Sequence, residues 1–331
     1  MPLGVDHIIK SEVPNFIPSL WSDEVIAGYK ANLVMANLVR KLNHKGKKGD
    51  SIRIPTPTRG VSSAKVAETQ VNLIQHGADA GITININRHR EYSRLIEDIV
   101  DVQALESLRR FYTDDAGYSL ARRTDYDLII EAAAFGNGGG TIVEEAVTGE
   151  IDSTSTFTNA RIGDDSAAWT PTASANAGNA VDLNDLGIRR FIRRLDDVDA
   201  PMAGRVLVVP PVTKADMMGI ARFTNQSFTG EVGAGNTIRN GLVGNVYGVD
   251  VFVTSQMPLV EDAGTNNDQQ LALFFQRDAL VLVEQLGVRV QEQYKQEFLA
   301  SLMTADMIYG VKGVRSTSII PIVVPVAFTD G

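Results

Sequence analysis

The strongest helix pattern in the chain runs from Tyr92 to Gly136, a stretch that contains no proline. Its apolar residues recur every three or four positions, which places them on one face of a helix with about 3.6 residues per turn. A first stripe contains Leu95, Ile99, Val102, Leu105, Leu108 and Phe111, and a second contains Leu120, Leu128, Ile129 and Ala132. Gly136 is a natural C-terminal stop. Acids crowd the predicted start, where a helix N-terminus favours negative charge. They are Glu97, Asp98 and Asp101.

Gly117 interrupts this pattern. A glycine inside a helix costs about 1 kcal/mol relative to alanine. We therefore expect either a kink or two helices, the second from about 113 to 135.

Two alternating stretches before this helix predict a long hairpin from Gly49 to Tyr92. SIRIPTP and GITININRHREY alternate apolar and polar positions, and the polar residues 61–81 lie between them. An isolated two-stranded ribbon is marginally stable in water. The hairpin should therefore rest on a neighbouring surface.

The first part of the chain predicts an arm, a helix and a basic turn. Three prolines among the first 20 residues indicate an extended arm, and Trp21–Leu42 has helical spacing. The turn after it contains Lys41, Lys45, Lys47 and Lys48. It is either an anion site or, the interpretation we favour, a solvated turn. Residues 137–180, rich in Gly, Ser and Thr, predict a surface insertion.

From Asp182 onward the pattern is that of a compact mixed domain. It predicts a helix through Leu195, a buried strand at Val206–Val209 and a short helix in VTKADMMGIA. A glycine-rich loop at 228–241 then leads into an apolar hairpin that turns near Tyr247. Several further strands complete a mixed α+β protein with two sheet regions.

Composition argues against most catalytic and binding chemistry. The 331 residues contain no cysteine, so thiolate and sulfur-ligated sites are excluded. The four histidines lie only in the arm and the hairpin, which disfavours a histidine metal or acid/base site. A net charge of −9 disfavours a nucleic-acid binder. We expect no enzyme, cofactor, metal or membrane span.

The order of these parts, with two phrases, resembles the major capsid proteins of tailed bacteriophages, which have the Hong-Kong-97-type fold. The phrases are LDDVDAPMAGRVLVVPP and NGLVGNVYGVDVFVTSQMP. The resemblance implies five parts. They are an N-terminal arm and helix (1–48), an E-loop hairpin (49–92), a P-domain spine helix with an insertion loop (93–181), an A-domain (182–258) and a return to the P-domain (259–331).

For function, the resemblance implies a virion shell subunit. Such a subunit self-assembles as pentamers and hexamers, in the host cytoplasm, into an icosahedral shell around double-stranded DNA that it does not bind sequence-specifically. Portal, scaffold and decoration proteins would be further partners. One alternative is an encapsulin-type cellular compartment. Another is a cofactor-free hydrolase built on carboxylates.

Two groups of residues are candidate intersubunit contacts. Basic residues of the hairpin, Arg53, Arg59 and Lys65, are expected to meet the acids Glu97, Asp98 and Asp101 of a neighbour. In the glycine-rich loop, the resemblance implies close backbone packing around a symmetry axis. The residues concerned are Gly230, Gly233, Gly235 and Asn236.

Overall fold

A computed structural model describes most of the chain. The described residues are 34–46, 48–56, 62–71, 80–99, 108–138, 141–144, 150–152, 155–170, 180–220, 244–261 and 269–326. The helices are α1 (Met35–Leu38), α2 (Leu108–Gly136), α3 (Asp185–Asp197) and α4 (Pro211–Gly219). Strands β1 to β7 are Arg40–Asn43, Ser51–Thr56, Ala80–Asn85, Arg88–Glu97, Arg161–Ile162, Arg205–Val209 and Asn245–Val246. Strands β8 to β13 are Val249–Val253, Leu259–Val260, Gln269–Gln276, Leu280–Lys295, Ala300–Gly313 and Ile319–Pro325.

The long helix α2 spans 29 residues and runs without a break through Gly117. The alternative of two separate helices is therefore wrong. A Cβ on Gly117 would meet nothing within 4 Å, so no close packing requires the glycine. The predicted end at Gly136 is confirmed. There, a Cβ would approach Ile319 Cγ2 to 2.8 Å, so the absence of a side chain lets α2 end against β13.

The predicted start of this helix pattern is wrong, because Leu95 and Glu97 lie in strand β4. Strand β4 pairs antiparallel with β12 over ten residues, from Arg88 opposite Tyr309 to Glu97 opposite Ala300. Those backbone hydrogen bonds come from a strand some 200 residues away, and such distant pairing overrides a local helical spacing. Leu95 is 46% exposed, which excludes it from a buried stripe.

Helix α2 packs on one face of a four-stranded sheet with the order β1-β11-β12-β4. Strand β1 is parallel to β11, and the other two pairs are antiparallel. Alternate residues of β12 face the helix and are buried, as period-two side-chain geometry requires. They are Met303, Ala305, Met307, Tyr309 and Val311. Leu128 and Ile129 of α2 are both fully buried in the same core, as predicted.

The helix predicted over Trp21–Leu42 is wrong at its C-terminal end. Only the four residues of α1 are helical between residues 34 and 43, and Arg40–Asn43 form β1. Val39 between them is extended, with φ −109° and ψ 161°. The backbone N–H and C=O groups at the edge of β11 pair with those of β1. A helix over Arg40–Asn43 would leave these groups of β11 without hydrogen-bond partners.

A seven-stranded sheet forms the second layer, with the order β5-β13-β10-β6-β8-β7 and β9 beside β10. One face packs against α3 and α4 through Phe191, Leu195 and Met217. The opposite face shares the core of α2 through Val208 and Phe275. Strands β10 and β13 thus pair within the same sheet as β6, so strand pairing crosses the predicted boundary at 258.

The prediction of a surface insertion at 137–180 is wrong for much of the described part of that segment. Its apolar side chains at Ile151, Ile162 and Trp169 are at most 3% exposed. Strand β5 pairs parallel with β13, and the Trp169 ring meets Phe157 edge-on with centroids 4.8 Å apart. A low apolar content does not prevent burial of the apolar residues that do point inward.

The two predicted hairpins are present. Strands β7 and β8 turn at Tyr247 and Gly248, which have φ of 53° and 82°, the values of a tight two-residue turn. Strands β2 and β3 pair antiparallel and form a two-stranded sheet of their own. This hairpin is shorter than predicted, because residues 88–97 belong to the four-stranded sheet.

Leu128→Ala should destabilise the fold by about 2 to 5 kcal/mol, because it leaves a cavity between α2 and the sheet. Chemical denaturation of the purified subunit measures the loss. The matched control is Leu186→Ala on α3, where the side chain is 43% exposed and the expected cost is below about 0.5 kcal/mol. Equal stabilities for both variants would show that Leu128 does not support the core.

Candidate intersubunit surface

The root of the β2–β3 hairpin is packed on its own subunit. Ile84 is fully buried and forms a small core with Ile86, Val281 and Val283. Ile52 of β2 packs against the same core. The expectation that the whole hairpin rests on a neighbour therefore fails for its root, because alternate isoleucines of β2 and β3 face strand β11.

Beyond the root, the described part of the hairpin loop is exposed. Every residue from 62 to 71 is exposed, including Val66 at 64% and Val71 at 68%. The Lys65 ammonium donates to the Val66 carbonyl at 2.8 Å and to the Thr69 carbonyl. These are local bonds that shape the loop and do not attach it to the subunit core.

Arg53 lies on the exposed side of β2, opposite Thr83 of β3 and diagonally across from Gly81. A Cβ at Gly81 would lie 2.8 Å from Arg53 Nε, so the glycine lets the arginine lie flat over the neighbouring strand. The guanidinium is thereby held at the hairpin surface. Arg59, the third basic candidate, lies outside the described residues.

The predicted acidic surface lies where β4 ends and a helical segment begins at Asp98, and not at the start of the long helix α2. Glu97 ends β4, and both Glu97 and Asp98 are exposed. The Asp98 amide donates to the Leu299 carbonyl at 3.1 Å, and its carboxylate accepts from the Tyr294 hydroxyl at 2.7 Å. That hydrogen bond to a carboxylate raises the pKa of Tyr294. The acids thus lie at the tip of the β11–β12 ribbon.

Exposed apolar side chains lie at the same ribbon tip. Phe298 is 63% and Leu299 66% exposed in the turn between β11 and β12. Exposed apolar residues beside exposed acids are typical of a surface that another chain covers. Asp101 and the glycine-rich candidates lie outside the described residues. The latter are Gly230, Gly233, Gly235 and Asn236.

A buried carboxylate that the sequence pattern did not reveal joins α2 to the sheet where the hairpin ends. Asp127 is 2% exposed and forms ion pairs with Arg88 Nη1 at 2.8 Å, Arg90 Nη2 at 3.2 Å and Arg123 Nε at 3.1 Å. The Tyr309 hydroxyl donates at 2.5 Å to Asp127 Oδ2, the oxygen that also pairs with Arg88 and Arg90. One carboxylate therefore holds two residues of β4, one of β12 and one of its own helix.

The pKa values of this cluster reflect both burial and charge. Burial alone would raise the pKa of Asp127, but the Tyr309 hydrogen bond and the charges of Arg88 and Arg123 bring it below its ordinary value. Burial, helped by Asp127, raises the pKa of Tyr309 to about 12. The carboxylate thus stays ionised and the phenol protonated at neutral pH.

Two partly exposed glutamates balance the remaining positive charge. Glu144 accepts from Arg123 Nη1 at 2.7 Å, and Glu131 lies 3.4 Å from Lys312 Nζ. Arg123, Asp127 and Glu131 follow each other at four-residue spacing. Oppositely charged residues at the same spacing also occur on solvent-exposed helix faces. The spacing alone therefore does not tell a buried charge cluster from an exposed one.

A second buried carboxylate attaches the chain before β1. Asp125 Oδ2 accepts from the Met35 amide at 3.1 Å, and Oδ1 accepts from the Ala36 amide at 2.9 Å. Burial raises the pKa of Asp125, against the effect of these backbone bonds. The short helix α1 thus has its first amides satisfied by α2.

Metal and membrane chemistry have no support in the described part of the chain. Among those residues, no group of three or more His, Cys, Asp or Glu side chains is arranged to hold a metal ion. None of the helices described is long and apolar enough to span a membrane.

Comparisons with known proteins agree with this architecture. A phage capsid protein family model matches residues 113–319, more than half of the chain. A search of curated proteins found no match. A solved structure from Mycobacterium phage Che8 is 24% identical, covers 93% of this chain and 97% of the other, and has a TM-score of 0.66. The capsid of Cyanophage P-SCSP1u is 17% identical over 94% of this chain and 93% of the other, with a TM-score of 0.70. The Cyanophage Pam1 capsid has a TM-score of 0.68 at 11% identity, covering 95% and 98%.

The chain belongs to the phage capsid protein family. It has the fold of tailed-phage capsid subunits, a mixed α+β fold in which a long helix crosses a sheet and a hairpin extends from that sheet. It is a structural component of the virion capsid. The resemblance inferred from the sequence is thereby confirmed, and no finding favours the encapsulin alternative.

Asp127→Asn should destabilise the fold by about 1 to 3 kcal/mol, because the partly exposed arginines and the buried Tyr309 hydroxyl lose their carboxylate. Because the folded-state pKa of Asp127 is depressed, its stabilising effect is present above its ordinary value of 3.8 and is lost as the pH falls through the folded pKa. The variant should therefore lose less stability than wild type below about pH 4. Denaturation curves from pH 7 to pH 3 measure both effects.

Asp197→Asn is the control, because Asp197 also pairs with an arginine, Arg193, but its side chain is 61% exposed. Exposed pairs contribute about 0 to 1 kcal/mol. If both variants have the same free energy of unfolding, and if it depends on pH as in wild type, Asp127 does not hold α2 to the sheet.

Proposed function

We propose that copies of this chain self-assemble as pentamers and hexamers into an icosahedral shell that encloses double-stranded phage DNA, with each hairpin loop lying on a neighbouring subunit. The observation that carries the proposal is the contrast within the hairpin. Its root is buried against strand β11, whereas residues 62–71 are exposed throughout. The similar structures from Cyanophage P-SCSP1u and Ralstonia phage GP4 are capsids, which supports assembly of this kind.

Conformational entropy explains why the loop needs a partner. Ordering each residue of a loop costs about 1 to 2 kcal/mol, and an exposed loop recovers little of it by burial. In a closed shell every subunit both extends a loop and receives one, so one complementary contact is repeated around the whole particle. Because its root is packed on the subunit, the loop starts from a fixed position and direction. This preorganisation reduces the conformational entropy that is lost on assembly.

The target surface is proposed to be the ribbon tip. Arg53 and Lys65 carry positive charge on the hairpin, and Glu97 and Asp98 carry negative charge beside the exposed Phe298. Each exposed ion pair contributes only about 0.2 to 1 kcal/mol, but repetition in every subunit makes the sum decisive.

The other parts of the proposal follow the capsid architecture. The glycine-rich residues 228–241 are proposed to meet around the five- and six-fold axes, where glycine avoids side-chain clashes. The division into arm, E-loop, P-domain and A-domain stays a proposal of the same kind. The chain acts without catalysis, its partners include portal, scaffold and decoration proteins, and its net charge of −9 suits a wall that does not adhere to DNA.

Replacing residues 62–79 by a short Gly-Ser turn should abolish assembly and leave the subunit melting temperature nearly unchanged. The replacement keeps strands β2 and β3, and with them the buried Ile84. Circular dichroism measures melting of the subunit, and sedimentation with electron microscopy measures particle formation.

A Gly-Ser segment of the original length is the control for loop length. It keeps the number of residues in the loop and removes the native side chains. Assembly by this control but not by the shortened chain would assign the role to loop length alone. Normal particles from the shortened chain would refute the proposal. A large drop in melting temperature would mean that the loop packs on its own subunit.

Arg53→Glu should slow assembly and raise the subunit concentration that it requires, because it places like charges at the contact. Adding Glu97→Arg in the same chain should restore assembly in part. Light scattering at low and high salt measures the effect, which should shrink at high salt. Arg189→Glu, a charge change on α3 away from the hairpin, is the control. No difference between Arg53→Glu and this control would exclude Arg53 from the interface.

A further inference from the structure

A cavity of about 300 Å³ lies between the end of α2, strand β5, the end of α3 and the turn before β13. Its floor is apolar and includes Ile319 and Ile320. Its polar lining groups are Asn159, Arg161, Arg194, Asp197, Ser316 and Thr317. Nothing in the proposed assembly uses this cavity, and its polar lining is rich in hydrogen-bond donors.

The two arginines are held side by side by one buried carboxylate. Arg161 Nε donates to Asp165 Oδ1 at 2.5 Å, and Arg194 Nε donates to Asp165 Oδ2 at 2.6 Å. The Asp165 side chain is only 4% exposed, and its backbone has a φ of 53°, in the left-handed region. The tight turn at Asp165 therefore places the carboxylate between the two guanidinium groups.

This arrangement uses one edge of each guanidinium and leaves the other for a ligand. Both arginines bind Asp165 through Nε, and Arg161 Nη2 also donates to the Asp165 carbonyl at 3.4 Å. An arginine presents five N–H donors in a planar fork, so donors remain at the Nη1 groups of Arg161 and Arg194. The carboxylate thus orients both guanidiniums.

The charge balance of the cavity favours an anion. Two guanidiniums share the single Asp165 carboxylate, which leaves one positive charge in excess. The Asp197 carboxylate at the rim pairs with Arg193, at 3.5 Å between Oδ2 and Nε, so that pair is neutral. Two hydroxyls, at Ser316 and Thr317, add donors that a tetrahedral oxyanion accepts.

We propose that this cavity binds a phosphate-type oxyanion between Arg161 and Arg194. Guanidinium groups match the oxygens of a phosphate in paired hydrogen bonds, and two guanidiniums fixed by one carboxylate are ordered before the ligand arrives. The phosphate group is either free, as inorganic phosphate or pyrophosphate, or part of a DNA backbone. Both sources offer the same oxyanion chemistry, and the experiment separates them.

The test is isothermal titration of the purified full-length chain with pyrophosphate, against sodium chloride at matched ionic strength. Wild type should bind at saturable stoichiometry. Arg194→Gln should weaken binding at least about tenfold, since it removes charge-assisted hydrogen bonds. Arg189→Gln is the matched control, because Arg189 lies on the same helix and pairs with Asp185 at 2.7 Å away from the cavity lining. It should change affinity less than about twofold.

A second variant, Thr317→Val, tests the site without removing an ion pair of the fold. Thr317→Val removes one exposed hydroxyl at nearly constant volume, so it should weaken binding by several-fold with an unchanged melting temperature. Titration of wild type and Arg194→Gln with a short double-stranded DNA identifies the source. Loss of DNA binding in Arg194→Gln, with competition by pyrophosphate, assigns a backbone phosphate, and DNA binding that is absent or unaffected assigns a free phosphate. The proposal is overturned if wild type shows no saturable pyrophosphate binding, or if Arg194→Gln and Arg189→Gln bind alike.

Discussion

The buried carboxylate of Asp127 is the interaction on which the position of the hairpin depends. Arg88 and Arg90, the first and third residues of β4, both bind it, and β4 follows the hairpin directly. Tyr309 ties the same carboxylate to the strand next to β4. Because a buried charge is costly when it loses a partner, the groups hold one another in place. The direction in which the hairpin leaves the subunit is therefore set inside the core.

This arrangement separates a packed part of the hairpin from an exposed part. Burying an isoleucine such as Ile84 stabilises the root by about 1.5 to 3 kcal/mol, enough to keep strands β2 and β3 on the sheet. Loop residues such as Val66 have no comparable burial in the subunit. In the proposed assembly, a neighbouring subunit supplies that burial.

Sequence periodicity predicted the elements whose partners are local or whose pattern is unambiguous. Helix α3, strand β6 and the turn at Tyr247 occur where the pattern placed them. It failed at residues 88–97, where Leu95 fits a helical stripe but the backbone pairs with β12. A local period carries no information about a strand 200 residues later, and only that strand decides between the two conformations.

The sequence also did not predict which polar side chains would be buried. Asp127 and Asp125 lie on a helix whose sequence alternates charges in a way that solvent-exposed helices share. What makes them structural is the set of groups that reach them from β4, β12 and α1, which the helix sequence does not contain. The exposure of Arg53, Lys65, Glu97 and Asp98 was easier to predict, because exposed charges need no distant partner within the subunit; their contact with a neighbour stays a prediction.

The ion pairs also bear on the charge that the subunit shows to its surroundings. Several arginines are committed to carboxylates of the same chain, among them Arg90 at Asp127 and Arg205 at Asp196. With the net charge at −9, such pairing leaves acids in surplus, and a surface of that kind repels a DNA backbone. Several guanidiniums share one carboxylate both at Asp127 and at the cavity beside Asp165, but at Asp127 the carboxylates of Glu144 and Glu131 offset the extra charge. The proposed capsid wall would therefore repel DNA over most of its surface and hold a single phosphate group at the proposed site beside Asp165.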